Sequence, residues 1–186
     1  DDISDLHVDD DNNLWISTWD YGMSKLDLTV PENKNPGSAH FISYGKPDHF
    51  PSNTVINFLF EDPRTNVLYV GTNGSGLFRY EKDRDKFTLI DIPDLQISTY
   101  GLTPHQRAEA WVCTGSGIFL IDLESRKLIS QPFTKIKGRV DVMYEDKQNT
   151  LWIGTAQGLI KHIEKKILHY RLDEEDNASR SNNILG

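Results

Sequence analysis

One short strand-like segment occurs four times in this 186-residue chain, and no other feature constrains the fold as strongly. In each copy a Trp or Tyr is followed by Thr three positions later and by Gly six or seven positions later. The aromatic residues are Trp15, Tyr69, Trp111 and Trp152, and the glycines are Gly22, Gly76, Gly117 and Gly158. The aromatic positions are separated by 54, 42 and 41 residues, and such spacings are typical of repeat architectures. Three features kept in register four times indicate a true internal repeat.

Each copy predicts four short strands. An apolar–polar alternation forms the first strand, a polar turn follows, the aromatic segment is second, and a third strand begins at the glycine. The predicted first strands are Ile3–Val8, Val55–Phe60, Ile97–Tyr100 and Val140–Tyr144. The predicted outermost, fourth strands are His40–Tyr44, Lys86–Ile90, Lys127–Ile129 and Ile167–Tyr170. No segment shows a helical period.

Four-stranded antiparallel units of this length are the blades of a β-propeller, so the sequence predicts an all-β fold. We place the blades at about 1–50, 51–93, 94–135 and 136–180, as one propeller segment that fills residues 1–186. Residues 181–186 resemble the entry to blade two at 51–56, so we expect a further blade to begin there and the segment to be part of a larger propeller. A closed four-bladed ring is the alternative.

Two further expectations concern packing within these blades. Blade one is longer than the others because it carries the polar insertion Thr29–Ser38, which we expect on an exposed loop. The repeated Trp or Tyr is expected to pack between neighbouring blades. Blade faces left uncovered would be apolar and would favour self-association.

Composition excludes several classes of partner and site. The chain has 20 basic and 28 acidic residues, a formal charge of −8, and no basic stripe, which argues against binding to nucleic acid or to an anionic membrane. The single cysteine, Cys113, rules out an internal disulfide and a cysteine zinc cage. The six histidines are scattered along the sequence, so we predict neither a metal nor a cofactor.

The best candidate for a binding site is a departure from the repeat. The turn between the second and third strands of blade one contains Trp19, Asp20 and Tyr21, whereas the other blades have small polar residues there. Two aromatic side chains beside a carboxylate on an exposed rim would suit stacking against a sugar. The alternative is that Trp19 covers a neighbouring blade. His49 and Phe50 are second-rank candidates, expected on the same rim.

Other polar groups favour structural roles. Asp9 and Asp11 have the offsets of a calcium loop, but Leu14 stands where that loop needs Gly, so a hairpin turn is the better interpretation. The acidic pairs at 61–62 and 145–146 recur at equivalent positions, which argues against a unique catalytic site.

The acidic turn followed by the segment 149–159 (NTLWIGTAQGL) resembles the two-component regulator propeller repeat. The resemblance covers essentially the whole chain and is weakest in the third copy, where residues 106–110 replace the usual turn and Cys113 replaces a Gly. It implies a periplasmic, non-enzymatic sensor segment of a Bacteroides-type hybrid two-component histidine kinase anchored in the inner membrane. It also implies an oligosaccharide ligand and further propeller blades as partners. A protein-interaction scaffold without a small ligand, or a propeller lyase or glycosidase, are the alternatives.

Overall fold

The computed structural model describes residues 2–45, 48–51, 54–95, 97–133, 136, 140–163, 166–170 and 183–184. They form four antiparallel sheets in which the strands neighbour one another in sequence order. This is the predicted all-β arrangement of four-stranded propeller blades, which is thereby confirmed.

The strands of each blade are as follows. Blade one contains β1 (Ile3–Val8), β2 (Asn13–Thr18), β3 (Met23–Asp27) and β4 (Ile42–Tyr44). Blade two contains β5 (Val55–Asp62), β6 (Val67–Asn73), β7 (Leu77–Glu81) and β8 (Lys86–Leu89). Blade three contains β9 (Thr99–Pro104), β10 (Glu109–Thr114), β11 (Gly117–Asp122) and β12 (Lys127–Phe133). Blade four contains β13 (Val140–Glu145), β14 (Leu151–Thr155), β15 (Gly158–Ile163), β16 (Lys166–Tyr170) and β17 (Asn183–Ile184). Short 3-10 helices lie at Pro31–Lys34, Lys82–Arg84 and Pro93–Leu95.

The first strand of blade three differs from its predicted bounds of Ile97–Tyr100. The strand starts at Thr99, because the carbonyl of Ile97 accepts a hydrogen bond from the Gly76 amide (3.1 Å) and belongs to the link between blades. Thr99 is fully buried, and its hydroxyl accepts a hydrogen bond from the Thr72 amide at 2.9 Å.

The insertion in blade one is mostly exposed, as predicted, but one of its residues is an anchor. Asn33 is only 8% exposed. Its Nδ2 donates to the Asp27 carbonyl, and its Oδ1 accepts from the His40 amide, both at 2.8 Å. The loop is therefore fastened to the end of β3 by one side chain.

Residues 183–184 form β17, which pairs antiparallel with β16 as a fifth strand of the fourth sheet. The rest of the segment 181–186 lies outside the described residues. The start of a further blade in this segment stays a prediction.

The chain divides into two compact units, residues 1–100 and 101–186. In the first unit a core cluster joins blades one and two, with Trp15, Tyr44, Leu59, Phe78 and Phe87 among its members. In the second unit a cluster joins blades three and four, with Trp111, Leu120, Phe133, Leu151 and Ile160 among its members. Trp15 is 1% exposed and Trp111 5% exposed, so the predicted packing of these two repeat residues between blades is confirmed.

Candidate functional site

The turn between the second and third strands of every blade is held by the same pair of repeat residues. The hydroxyls of Thr18, Thr72, Thr114 and Thr155 donate to the carbonyls of Gly22, Gly76, Gly117 and Gly158, at 3.1, 2.6, 3.0 and 3.0 Å. All four glycines have a positive backbone φ, between 84° and 140°. Residues other than Gly rarely adopt such values. The Thr–Gly spacing seen in the sequence is thus the signature of a clasp that closes this turn.

The clasp in blade one presents the predicted aromatic turn to solvent. Trp19 is 54% exposed and Tyr21 67% exposed, and Asp20 lies between them, also exposed. The Tyr21 amide donates to the Thr18 hydroxyl (3.0 Å), and the Trp19 amide donates to the Asp2 carbonyl (3.1 Å), so the backbone of the turn is fixed. These three predicted residues do come together on one exposed turn.

The other two predicted residues do not join them. Phe50 is 1% exposed and packs on Phe78 and Phe87, with ring centroids 5.2 and 5.1 Å away. The expectation that Phe50 lines the rim is therefore corrected: its apolar ring gains more from burial in the core. His49 is half-buried with its ring edge-on to Tyr44 at 5.1 Å, and its Nδ1 atom is buried without a hydrogen-bond partner among the described residues.

Acidic residues in two hairpin turns have a structural role. Asp9 accepts hydrogen bonds from the Trp15 indole (2.7 Å) and the Asn13 amide (2.8 Å), and Asp146 accepts from the Trp152 indole (2.8 Å) and the Thr150 amide (3.0 Å). Burial would raise the pKa of Asp9, but these hydrogen bonds outweigh it and lower the pKa. The hairpin interpretation of this segment is confirmed.

Blade three has His105 where blades one and four have that aspartate, and it obtains a carboxylate from the next blade. Glu145 accepts the Trp111 indole proton (2.6 Å) and contacts His105 Nδ1 at 2.6 and 2.7 Å. The side chains of His105 and Glu145 are both 9% exposed. The weak third repeat in the sequence therefore coincides with a blade whose repeat tryptophan bonds to the neighbouring blade, whereas Trp15 bonds to its own.

A cavity of about 740 Å³ lies where blades one and two meet. It is bordered by the β1–β2 turn (residues 9–13), the β5–β6 turn (residues 61–68) and the segment 79–85 that leads from β7 towards β8. These turns are at the opposite end of the strands from the Trp19–Tyr21 turn. All the bordering residues belong to the first unit.

A polar cluster of four side chains adjoins this cavity, and three of them, Lys25, Tyr80 and Asp85, border it. One oxygen of Asp85, Oδ1, accepts hydrogen bonds from Tyr44 (2.6 Å), from Tyr80 and from Lys25 (3.3 Å). The Lys25 ammonium lies 5.2–5.4 Å from the ring centroids of Trp15, Tyr44 and Tyr80, within range for cation–π attraction. We call Lys25, Tyr44, Tyr80 and Asp85 the junction cluster.

The charges of the junction cluster reinforce one another. Burial lowers the pKa of Lys25, but Tyr80 and Asp85 outweigh it and the net direction is upward. Burial would raise the pKa of Asp85, yet the hydrogen bonds from Tyr44 and Tyr80 bring it below its usual value. Burial, followed by the hydrogen bond to Asp85, raises the pKa of Tyr44. The cluster therefore stays a charged pair flanked by two neutral phenols over the physiological range.

Sequence analysis missed the junction cluster, because two of its members do not stand out along the repeat. By the strand registers, Lys25 corresponds to Arg79, Leu120 and Lys161 in the other blades, and Tyr44 corresponds to Phe133 in blade three and Tyr170 in blade four. The member that differs from its blade-four counterpart is Tyr80, which corresponds to His162.

Other site types receive no support from the described residues. No group of three or more His, Cys, Asp or Glu side chains in that part of the chain is placed to hold a metal ion. Cys113 is buried, which raises the pKa of its thiol to about 12 and makes it inert. The described residues also include no helix with the length and apolar character needed to cross a membrane.

Comparison with known proteins adds the following. Residues 135–157 match the family model described as two component regulator propeller. A comparison with curated protein sequences found no match.

Solved structures share the fold. The extracellular domains of two hybrid two component systems from B. thetaiotaomicron are similar over 98% of this chain, with TM-scores of 0.69 and 0.74 and identities of 17% and 21%. Virginiamycin B lyase from Staphylococcus aureus is similar over 93% of this chain and 56% of its own, with a TM-score of 0.69 and 15% identity. This chain spans about a quarter of the two B. thetaiotaomicron domains, at 23% and 24%. Residues 135–157 are thus similar to a two component regulator propeller repeat, in a chain that folds into β-propeller blades.

Proposed function

We propose that this chain is part of the extracytoplasmic, ligand-sensing propeller region of a bacterial hybrid two-component system, and that it responds to oligosaccharides. The observation that carries the sensor role is the two component regulator propeller repeat at residues 135–157. The likeness of nearly the whole chain to extracellular domains of such systems agrees with it. In this proposal the segment is periplasmic, belongs to a protein anchored in the inner membrane, and catalyses no reaction.

The exposed turn at 19–21 supports an oligosaccharide as the ligand. The flat faces of Trp19 and Tyr21 are available to stack on sugar rings, and Asp20 supplies acceptors for their hydroxyl groups. A ligand signals only if it binds two states of the receptor with different affinity. In the intact receptor we propose that further blades, packed on the exposed blade faces, carry that change; in the isolated segment the same faces would mediate self-association.

Calorimetric titration with neutral plant and host oligosaccharides tests the proposal. We expect saturable binding that weakens about tenfold or more in Trp19→Ala, since an aromatic contact and its buried area are lost. Tyr144→Ala is the matched control, because Tyr144 is an equally exposed aromatic residue on another blade (61%). It should bind as the unchanged protein does.

The same samples separate the competing functions. Appearance of cleaved products would contradict the sensor proposal and favour the lyase or glycosidase alternative. Absence of binding to every oligosaccharide would favour a scaffold that has no small ligand.

A further inference from the structure

We propose that this chain associates head to tail, with blade four of one copy packed against blade one of a second copy. The contact joins two exposed surfaces of different composition. The blade-four face contains Tyr144, Trp152 and Lys161, and the blade-one face contains Leu6, Val8 and Phe41. This pairing rests on the self-association included in the function proposed above, and it specifies which faces meet and through which side chains.

Blade four presents the same half of a junction that blade one presents to blade two. Trp152 donates its indole proton to the turn aspartate of its own blade at 2.8 Å, and the Lys161 ammonium lies 4.8 Å from its ring centroid. Trp15 makes the same two contacts, at 2.7 Å to its turn aspartate and 5.2 Å to Lys25. Trp15 is 1% exposed because blade two covers it, whereas Trp152 is only half-buried. The blade-four face is therefore a half-junction whose tryptophan is still partly in water.

Blade one carries on its exposed face the residues that, in blade two, receive such a tryptophan. Trp15 packs in one core with Leu59 and Phe87 of blade two, and its ring centroid lies 5.7 Å from that of Phe87. By the strand registers, Leu59 corresponds to Leu6 of blade one. Phe87 likewise corresponds to Phe41. Leu6 and Phe41 are 55% and 51% exposed, whereas their counterparts are 9% and 2% exposed, so the blade-one face offers an uncovered apolar surface for a repeat tryptophan.

A matched exchange of one residue pair indicates that these two faces suit each other. Where blades one and two meet, the Nε2 atom of His7 lies 2.9 Å from a carboxylate oxygen of Glu61. Tyr144 occupies the position of His7 in blade four. Val8 occupies the position of Glu61 in blade one. The proposed contact thus replaces a polar pair with a pair of apolar side chains that are 61% and 50% exposed, and it buries no unpaired charge at this position.

The lysine of the blade-four face has a smaller part in this contact. At the junction of blades one and two, the equivalent lysine bonds to Asp85. Blade one has Ala39 at the position of Asp85, two residues before its aromatic residue, so Lys161 would face no carboxylate there. A long side chain can keep its ammonium in water at the edge of an interface. The apolar side chains, rather than the lysine, should therefore carry the association.

A second copy of this chain is the partner that fits, since both complementary faces are exposed on the same chain. Because the two faces differ, the contact is heterologous: one copy contributes blade four and the other contributes blade one. Removal of large apolar side chains from water at both faces supplies the driving force.

Sedimentation velocity of the whole chain over a range of concentrations tests this pairing. Leu6→Lys disrupts the blade-one face and Tyr144→Lys disrupts the blade-four face, and both replace exposed side chains, so the fold should persist. Ile129→Lys is the matched control, because Ile129 is an exposed residue of β12 (46%) that belongs to neither face. Circular dichroism checks that each variant is folded.

We expect the unchanged protein and Ile129→Lys to associate as their concentration rises. Leu6→Lys and Tyr144→Lys, each by itself, should associate at least about tenfold more weakly. An equal mixture of these two variants should form a dimer that grows no further, since the intact blade-four face of one can bind the intact blade-one face of the other.

Three results would overturn the pairing. They are an unchanged protein that stays monomeric, a mixture that stays monomeric, and a single variant that associates as strongly as the unchanged protein, which would mean that like faces pair. Calorimetric titration of the same variants with oligosaccharides reports on the sensor proposal separately, because neither substitution lies in the Trp19–Tyr21 turn. Oligosaccharide binding without association would overturn the pairing and leave the sensor role in place.

Discussion

Blades one and two meet through the junction cluster, whereas blades three and four have Leu120, Phe133 and His162 at the repeat positions of Lys25, Tyr44 and Tyr80. In the first unit Trp15 bonds to Asp9 of its own blade, and in the second unit Trp111 bonds to Glu145 of the neighbouring blade. One repeat therefore supports two kinds of blade junction. The difference shows that the buried tryptophan is common to both junctions, whereas the carboxylate that accepts its indole proton can come from the same blade or from the next one.

The largest effect should follow from removing the carboxylate that the second junction shares. Glu145→Ala would remove the buried carboxylate that accepts the Trp111 indole proton and contacts His105 Nδ1. We expect a loss of about 3 kcal/mol in the free energy of unfolding. Urea unfolding followed by circular dichroism measures this loss. Glu61→Ala is the matched control, because Glu61 accepts from the more exposed His7 and should cost less. Equal losses would show that the two junctions are energetically alike.

A reciprocal pair of substitutions exchanges the chemistry of the two junctions. Tyr44→Phe removes one hydrogen bond to Asp85 and should cost about 1 kcal/mol. Phe133→Tyr introduces a hydroxyl at the junction of blades three and four and should cost about 1–3 kcal/mol if the hydroxyl finds no partner. Thermal and urea unfolding of both variants give the values. A stabilised Phe133→Tyr protein would mean that the second junction can accept a polar cluster.

Acid should weaken both units through their turn aspartates. Asp9 and Asp146 have lowered pKa values in the folded chain, so their contribution is present above the ordinary aspartate pKa, near 4. It is lost as the pH falls through their folded values. Urea midpoints measured from pH 7 to pH 3 should fall below about pH 4, and Asp9→Asn should make that fall shallower. If the urea midpoint of Asp9→Asn depends on pH as it does in the unchanged protein, the acid sensitivity belongs to other groups.

The smallest effect is expected at the exposed pair across the first junction. Lys82→Ala should leave the urea midpoint nearly unchanged, because both side chains are solvated. The measurement is the same urea titration, with and without added salt. A clearly lowered midpoint would show that the pair holds the two blades together.

Much of this architecture could be predicted from sequence because the residues that define each repeat lie close together along the chain. The aromatic–Thr–Gly spacing specifies a strand, a clasped turn and a second strand within about ten residues, as in the segment around Trp152. The first strand of blade three was predicted less accurately. Ile97 belongs to the link between blades, and its hydrogen bond with Gly76, not the apolar pattern, decides where β9 begins.

The candidate site was harder to predict, since exposure depends on contacts between strands that are distant in sequence. Trp19 and Phe50 are both aromatic residues in connecting segments, yet only Trp19 faces solvent. Phe50 is buried against Phe78 and Phe87 of blade two, and no local pattern reports that contact. Likewise, Lys25 and Asp85 are 60 residues apart in sequence, so the junction cluster became visible only when the strands were placed side by side.

The threonine–glycine clasp has an evolutionary consequence. Because Thr18 and Gly22 fix both ends of the turn through their own hydrogen bond, the residues between them contribute little to holding the blade together. The turns in the four blades already differ in length and composition while the clasp is the same. In each blade the residues between the clasp threonine and glycine can therefore be substituted, and can acquire new binding specificities, without loss of the fold.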